Sequence, residues 1–499
     1  MKNSIYILFL AVIMSLCSCN DFLDVTSSEK TLQKDLFKDS EGFRMAVNGI
    51  YKDLSSTKLY GENLSWGFIS ALGHNYEVGR STLPVALRYA ANFNWNISYV
   101  EPIGEDIWST AYNVIANSNN IIQEVEKRDT AFFKEKAMEK NLILGEMYGI
   151  RAMMHFDVLR LFAPAPITNY QGAAIPYVKD YLNYRPEHVS TSAVLTNIIA
   201  DMEKAKEMLA PIDTIRFKSN ISSPAGRFRQ QYNYFPVKEG DFFNYRCERM
   251  NFFGAAALLA RIYLYKGDYE NAFKNAMIVY DFHKKNWFRW TSAGNQGQIN
   301  DVDRIHTKRP TELLLMFSNN KNYENMEKYT LNNFYGLTWF KLKKMEVLFQ
   351  GDFDDFRYVG WYNRDGLKRY LTWMRPTGTS STATEVARDQ GPLIPIIRFS
   401  EMYHILIEYY IQKGQTAEAI NLFKDLRIAR GVKSKIPETL DQKQLMDKLV
   451  NDMIRETLTE GQTFFMYKRL NRNIFNGETD LIMEAKNWTM PIPHSETAY

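Results

Sequence analysis

The sequence predicts an all-α (mainly) protein built partly of helix-turn-helix repeats of tetratricopeptide type, with a loop-rich subdomain inserted between them. Three observations predict it. Apolar residues recur at helical spacing over long stretches, one motif occurs twice, and the interval between its copies has no sustained period. The copies are ARIYLYKGDYENAFKNA, from Ala260 to Ala276, and IEYYIQKGQTAEAINLF, from Ile407 to Phe423. Tyr263, Gly267 and Ala272 in the first match Tyr410, Gly414 and Ala419 in the second, at intervals of four and five. The glycine ends one helix by taking left-handed backbone angles. The alanine lets the next helix pack closely against it.

The other elements follow in order. After an extended lead from Asp21, a helix is expected over Ser40–Leu54. From Leu59 to Glu105 the chain reads as loop, holding Trp66, His74, Tyr76, Tyr89, Phe93, Trp95 and Tyr99 without helical period. Asp106–Lys127 reads as an amphipathic helix, with Ile107, Ala111, Ile115, Ile121 and Ile122 on its apolar side. A longer helix, Glu135–Phe162, spaces Leu142, Met147, Ile150, Met154 and Leu161 helically and stops ahead of Pro164, because proline disfavours helical geometry in the residue before it. Thr191–Leu209 is a further helix, with Ser190 or Thr191 as its N-cap. The interval Phe282 to Pro395 is rich in Gly, Asn, Asp and aromatics, with short apolar runs such as Glu312–Phe317. It reads as an irregular insertion with a few short strands or helices. Long irregular segments are usually functional or disordered, and the aromatic content argues against disorder.

Composition excludes several functions. With 61 basic and 57 acidic residues the net charge is +4, and no basic block marks a nucleic-acid interface. The aromatic fraction is 14%, a supply large enough to furnish a stacking surface as well as a core. Seven histidines are scattered without a His-x-x-x-His pair, and neither a Gly-x-Ser-x-Gly elbow nor a phosphate-binding glycine loop occurs. No cofactor or metal is expected and no catalytic residue stands out, although a glycosidase would need only two carboxylates. His155, inside an apolar helical run, reads as a core histidine. Gly351–Arg357 has part of a calcium-loop pattern and reads as a solvated acidic turn in which Arg357 pairs one Asp.

The N-terminus has the form of an export signal. Lys2 precedes an apolar run from Ile5 to Leu16, which as a helix spans roughly 18 Å against roughly 30 Å of bilayer core. No second apolar run of spanning length occurs. Leu16-Cys17-Ser18-Cys19 has the pattern of a lipobox. It implies cleavage after Ser18, lipidation of Cys19, and Cys247 as the one thiol left in the body.

Several segments resemble a known family. Cys19-Asn20-Asp21-Phe22-Leu23-Asp24 is similar to the mature N-terminus of the SusD/RagB family of Bacteroidetes outer-membrane nutrient-binding lipoproteins. Gly145–Ile167 resembles the family's first long helix and its exit loop, through Arg151-Ala152, His155-Phe156 and Phe162–Pro166, with Ala163 where Gly is common. Ile396–Val432 resembles its Arg-x-x-Glu and Asn-x-x-Arg-x-Arg helices, through Arg398, Glu401, Glu408, Asn421, Arg427 and Arg430. Ile454–Leu470 resembles a further helix through Glu460 and Gly461, with Thr463 and Met466 where Arg and Asp are usual. The ending Pro491-Ile492-Pro493-His494-Ser495-Glu496 also matches.

This resemblance implies a SusD-like organisation: signal peptide 1–18, lipid anchor and tether 19–39, and a body over 40–499. Within the body, tetratricopeptide-like helices are expected at about 106–281 and 396–470, around a ligand-binding insertion at about 282–395. The resemblance also implies a partner, a SusC-like TonB-dependent barrel in the outer membrane. It places the protein on the cell surface, held by lipid on Cys19, as a hinged lid. Its ligand would be a glycan, or alternatively a peptide, captured without bond making. Rival readings are a lipid-anchored hydrolase and a pure repeat scaffold. Sugar rings stack their C–H faces on rigid aromatic side chains. The ligand-binding candidates are therefore the loop aromatics Trp66, Tyr76, Tyr89 and Trp95, with Tyr323, Tyr335, Trp339, Trp361, Tyr362 and Trp373 of the insertion. Trp287 and Trp290 are expected to pack beneath the first repeat.

Overall fold

The computed structural model describes residues 35–183, 185–228, 236–291, 308–330, 340–343, 345–358 and 391–497. The signal segment, Cys19 and the tether up to residue 34 lie outside them. α1 (Ser40–Leu54) starts where Asp39 accepts a hydrogen bond from Gly42 N–H at 3.0 Å. It buries Phe43, Val47, Ile50 and Leu54, one stripe of a helical period. The expected loop region contains two short helices, α2 (Phe68–Leu72) and α3 (Val85–Ala91). α4 (Glu101–Glu126) begins earlier than Asp106, because Pro102 is tolerated in a first turn, where its missing N–H has no helical partner anyway.

α5 (Lys136–Phe162) is buried on every side from Leu142 onward. Its charged groups are therefore paired. Arg151 forks onto Asp201 at 2.6 and 2.8 Å, and Glu146 accepts from Arg246 at 2.6 Å and Arg249 at 2.8 Å. The antiparallel pair β1 (Ala173–Pro176) and β2 (His188–Ser190) leads into α6 (Thr191–Pro211), which is capped by Ser190. The first repeat is α7 (Phe252–Lys266) and α8 (Tyr269–Lys284), turned by Gly267 at φ +85°. Trp287 and Trp290 pack against the repeats as expected, Trp287 on Phe282 at 4.7 Å and Trp290 on Phe399 at 4.4 Å.

The described parts of the insertion are rooted in the core. They comprise β3 (Leu313–Ser318), α9 (Asn322–Thr330), α10 (Met345–Phe349) and β4 (Leu393–Arg398). β3 pairs antiparallel with β4, and every residue of β4 is buried. Lys308 Nζ donates to the carbonyls of Gly391 (2.9 Å) and Leu393 (2.7 Å), clamping the strand ends together. The second repeat is α11 (Phe399–Gln412) and α12 (Thr416–Ala429), turned by Gly414 at φ +71°.

Ile454–Leu470 is two helices, not one: α13 (Gln442–Thr457) and α14 (Thr463–Leu470). Gly461 between them has φ +76°, and a Cβ there would lie 2.3 Å from the Leu64 carbonyl oxygen. Gly461→Ala should therefore lower stability by more than the roughly 1–3 kcal/mol of backbone strain alone. A denaturant midpoint measures this, and an unchanged midpoint would contradict the close approach.

The acidic turn is not solvated. Asp355 and Arg357 are both fully buried, and Arg357 pairs Asp355 (2.6 Å), Asp452 (2.9 Å) and Glu456 (3.0 Å). Most of the family-motif residues have the same structural use. Arg398 pairs Glu460, Arg261 pairs Glu401 (2.6 Å), Arg469 pairs Glu408 (2.6 Å) and Arg427 pairs Asp352 (2.9 Å). Arg430 holds both Glu312 (2.6 Å) and Glu456 (2.5 Å). Asn421 is exposed on α12.

His155 is a core histidine. Its Nδ1–H donates to the Arg151 carbonyl (2.8 Å) and its Nε2 accepts from Val178 N–H (3.0 Å), so it is neutral. Burial pushes its pKa down to about 3, and that of His74 down to about 4. Both are ordinary in the unfolded chain, near 6.5. Their stabilising contribution is full above that value and is lost as pH falls through the folded values. Of the seven histidine Cε1–H signals in an NMR titration, two should therefore stay unshifted down to about pH 5. Seven titrations near 6.5 would refute this.

Candidate functional site

The candidate aromatics divide into core, surface and undescribed positions. Trp66, Tyr76 and Trp95 are only 5%, 1% and 8% exposed, so they do not form a stacking surface. Each spends its polar atom internally. Trp66 Nε1–H donates to the Gly61 carbonyl (2.9 Å), Tyr76 O–H to the Trp66 carbonyl (2.6 Å) and Trp95 Nε1–H to the Lys486 carbonyl (2.9 Å). Tyr335, Trp339, Trp361, Tyr362 and Trp373 lie outside the described residues, as does the side chain of Tyr323.

The buried rings join the first loop region to the insertion. Phe340 packs edge-on against Trp66 (5.4 Å) and Tyr76 (5.1 Å). Around it the backbones pair: Phe340 N–H donates to Thr82 O (2.7 Å), Glu77 N–H to Lys341 O (2.8 Å) and Lys343 N–H to Asn75 O (3.1 Å). Residues 340–343 are thus paired with residues 75–82, just before α3.

Tyr89 faces solvent, 37% exposed, and its neighbour is Tyr99, 53% exposed. Their rings are nearly parallel, 9° apart in plane and 5.9 Å between centroids. Val85, also exposed, lies one helical turn before Tyr89 on the same face of α3. The Arg88 guanidinium lies 5.9 Å from the Tyr89 ring. From Asn92 to Tyr99 the chain alternates. Asn92, Asn94, Asn96 and Ser98 are exposed, while Phe93, Trp95 and Ile97 turn inward. Phe93 rests on Trp95 (5.8 Å) and Phe464 (6.4 Å), so the segment is backed by a rigid aromatic floor. The result is a small apolar platform bordered by amides and a hydroxyl.

Tyr99 is absent from the sequence-derived candidates, because loop position alone does not separate it from the other aromatics. The Asn-x-Asn-x-Asn-x-Ser alternation of residues 92–98 is the signal that could have found this face. Among the described residues, no cluster of three or more His, Cys, Asp or Glu is placed to hold a metal ion. Cys247 is buried, and burial pushes its thiol up to about 12, which leaves it un-ionised.

Residues 21–225 match a SusD-like family described as starch-binding and associating with the outer membrane. A SusD-like protein, P2 of Formosa agariphila, is 23% identical over 55% of this chain and 45% of its own length. The chain spans less than half the length of the curated relatives it matches. The fold continues beyond the matched sequence. A solved SusD superfamily protein of Bacteroides thetaiotaomicron superposes with a TM-score of 0.64, covering 92% of this chain and 98% of that one at 20% identity. The chain has the fold of the SusD superfamily structures, and its N-terminal part matches the SusD-like family. A solved putative sugar binding protein of Bacteroides vulgatus superposes on this chain equally well, with a TM-score of 0.64 at 20% identity over 92% and 96% of the two chains. The mainly helical architecture read from the repeats is shared with these solved structures. Among the described residues no helix is long and apolar enough to cross a membrane.

Proposed function

We propose that the protein captures a glycan at the Tyr89–Tyr99 face. The observation that carries this reading is the exposed, nearly parallel tyrosine pair bordered by exposed Asn92, Asn94, Asn96 and Ser98. A pyranose offers an apolar C–H face to such rings and hydroxyls to such amides. The description of the matching family as starch-binding supports the glycan over a peptide. The aromatics of the insertion, Tyr323, Tyr335, Trp339, Trp361, Tyr362 and Trp373, stay ligand-binding candidates in this proposal. Capture makes and breaks no bond. The ligand is passed to a TonB-dependent barrel in the outer membrane, and lipid on Cys19 holds the protein there.

Calorimetry against panels of glycans and peptides tests the reading. Heat from glycans alone is expected. Heat from peptides alone would replace glycan by peptide, and product released on long incubation would establish a hydrolase.

A further inference from the structure

A second polar site lies in the interior, away from the tyrosine face and independent of the proposed function. α5, α7, α11, α13 and α14 enclose a cavity of ≈ 70 Å³. One wall is Arg160, 3% exposed. Its guanidinium is sandwiched between the rings of Phe156 (4.5 Å) and Phe465 (4.0 Å). One terminal nitrogen donates to Asp157, the other to Gln462 Oε1 (3.1 Å). Its Nε–H has no acceptor among the described residues. On the facing helix α7, Tyr265 is 5% exposed and its hydroxyl also has no partner among the described residues. A buried donor left unmatched costs about 1–3 kcal/mol, and more when charged.

Arg160 Nε–H can only donate and the Tyr265 hydroxyl can donate, so a single acceptor satisfies both. Charge favours an anion. Arg160, Arg261 and Arg469 line the cavity, and Lys468 lies directly behind it, donating to the carbonyls of Arg160 (2.6 Å) and Ala163 (2.7 Å). Their carboxylate partners are Asp157, Glu401 and Glu408. With Lys468 protonated, four cationic side chains meet three carboxylates. His404 at the margin is turned to Asp452 (3.0 Å) and away from this set. The size admits one small ion with a few waters and nothing as large as a sugar ring.

We infer that this cavity is a binding site for a small monovalent anion of halide size, held by Arg160 Nε–H and Tyr265 O–H, which ties the long central helix α5 to both repeats and to α14. Burial and the Arg160 charge hold the Lys468 ammonium well below its ordinary pKa, and a neighbouring anion offsets both effects. A ligand bound only by the folded state raises the melting temperature in a saturable way.

Melting curves in sodium bromide and sodium gluconate, at equal ionic strength, test this. Gluconate is too large for the cavity. The expected result is a higher melting temperature in bromide, rising logarithmically with its concentration. Tyr265→Phe keeps the ring and removes only the donor, so it should weaken the half-saturating bromide concentration at least about tenfold, equivalent to 1.4 kcal/mol. Diffraction from crystals grown in bromide should show an anomalous peak within hydrogen-bond reach of both donors. Equal melting in the two salts, an unchanged response in Tyr265→Phe, or ordered waters without an anomalous peak would each overturn the inference.

Discussion

Replacing Glu456 by glutamine should destabilise the protein by about 3–5 kcal/mol, the usual result of removing one partner from a buried ion pair. Glu456 lies at the centre of a charged cluster that is closed to solvent. It accepts from Arg430 (2.5 Å), Arg309 (2.7 Å), Arg357 (3.0 Å) and Ser400 (3.1 Å). Those arginines come from three separate stretches: the entry to β3, the acidic turn and the end of α12. The cluster therefore fastens the insertion to the second repeat and to α13. Three arginines hold the Glu456 carboxylate well below the usual range despite its burial. The sign follows: its stabilising contribution is complete above the unfolded carboxylate pKa and is lost only as pH falls through the much lower folded value. Glutamine keeps the shape and removes the charge, leaving Arg309, Arg357 and Arg430 under-compensated. Chemical denaturation at neutral pH measures the loss. The control is Lys413→Ala, which removes an exposed pair with Glu270 and should leave the midpoint unchanged. Equal small effects from both variants would show that the cluster does not hold the fold.

Tyr89→Ala and Tyr99→Ala should each weaken glycan binding at least about tenfold, or 1.4 kcal/mol, with little change in melting temperature. Exposed side chains outside the core seldom alter stability by more than about 0.5 kcal/mol. Affinity and stability should separate in the opposite sense at Trp95. Trp95→Ala removes the floor beneath residues 93–97 and should lower stability by about 3–5 kcal/mol, as large-to-small core changes do. Any loss of binding there would follow from the fold. If both tyrosine variants bind as tightly as the parent, the ligand sits elsewhere. If they unfold, the pair is part of the packing and the platform is lost as an idea.

The helices were legible because their signals are local. The α1 stripe, the Ser190 cap and the glycine turns at 267 and 414 depend on residues close in sequence. The break at Gly461 was not legible, because its cause is the approach of Leu64, almost four hundred residues earlier. The acidic turn was misread for a related reason. Composition makes Asp352–Arg357 look solvated, yet the arginines that neutralise it arrive from α12 and α13. The loop aromatics show the same limit. Trp66, Tyr76 and Trp95 lack helical period, which made them candidates. They pack because a non-helical segment can still be core when its polar atoms find backbone carbonyls. Tyr89 keeps an exposed ring, although it lies on the short helix α3 and not in a loop, and Tyr99 needed the observed ring geometry. The family motif was legible as sequence but silent on role: Arg398, Glu401, Glu408, Arg427, Arg430 and Glu460 all proved to be ion-pair partners that hold the scaffold.

Glycan capture on the tyrosine face is tested most directly by a crystal structure with an oligosaccharide that gives heat in the calorimetric panel. The structure should place a pyranose ring over Tyr89 and Tyr99, with its hydroxyls hydrogen-bonded to the amides of Asn94 or Asn96. Sugar density on another face, with Tyr89 and Tyr99 still open to solvent, would contradict it.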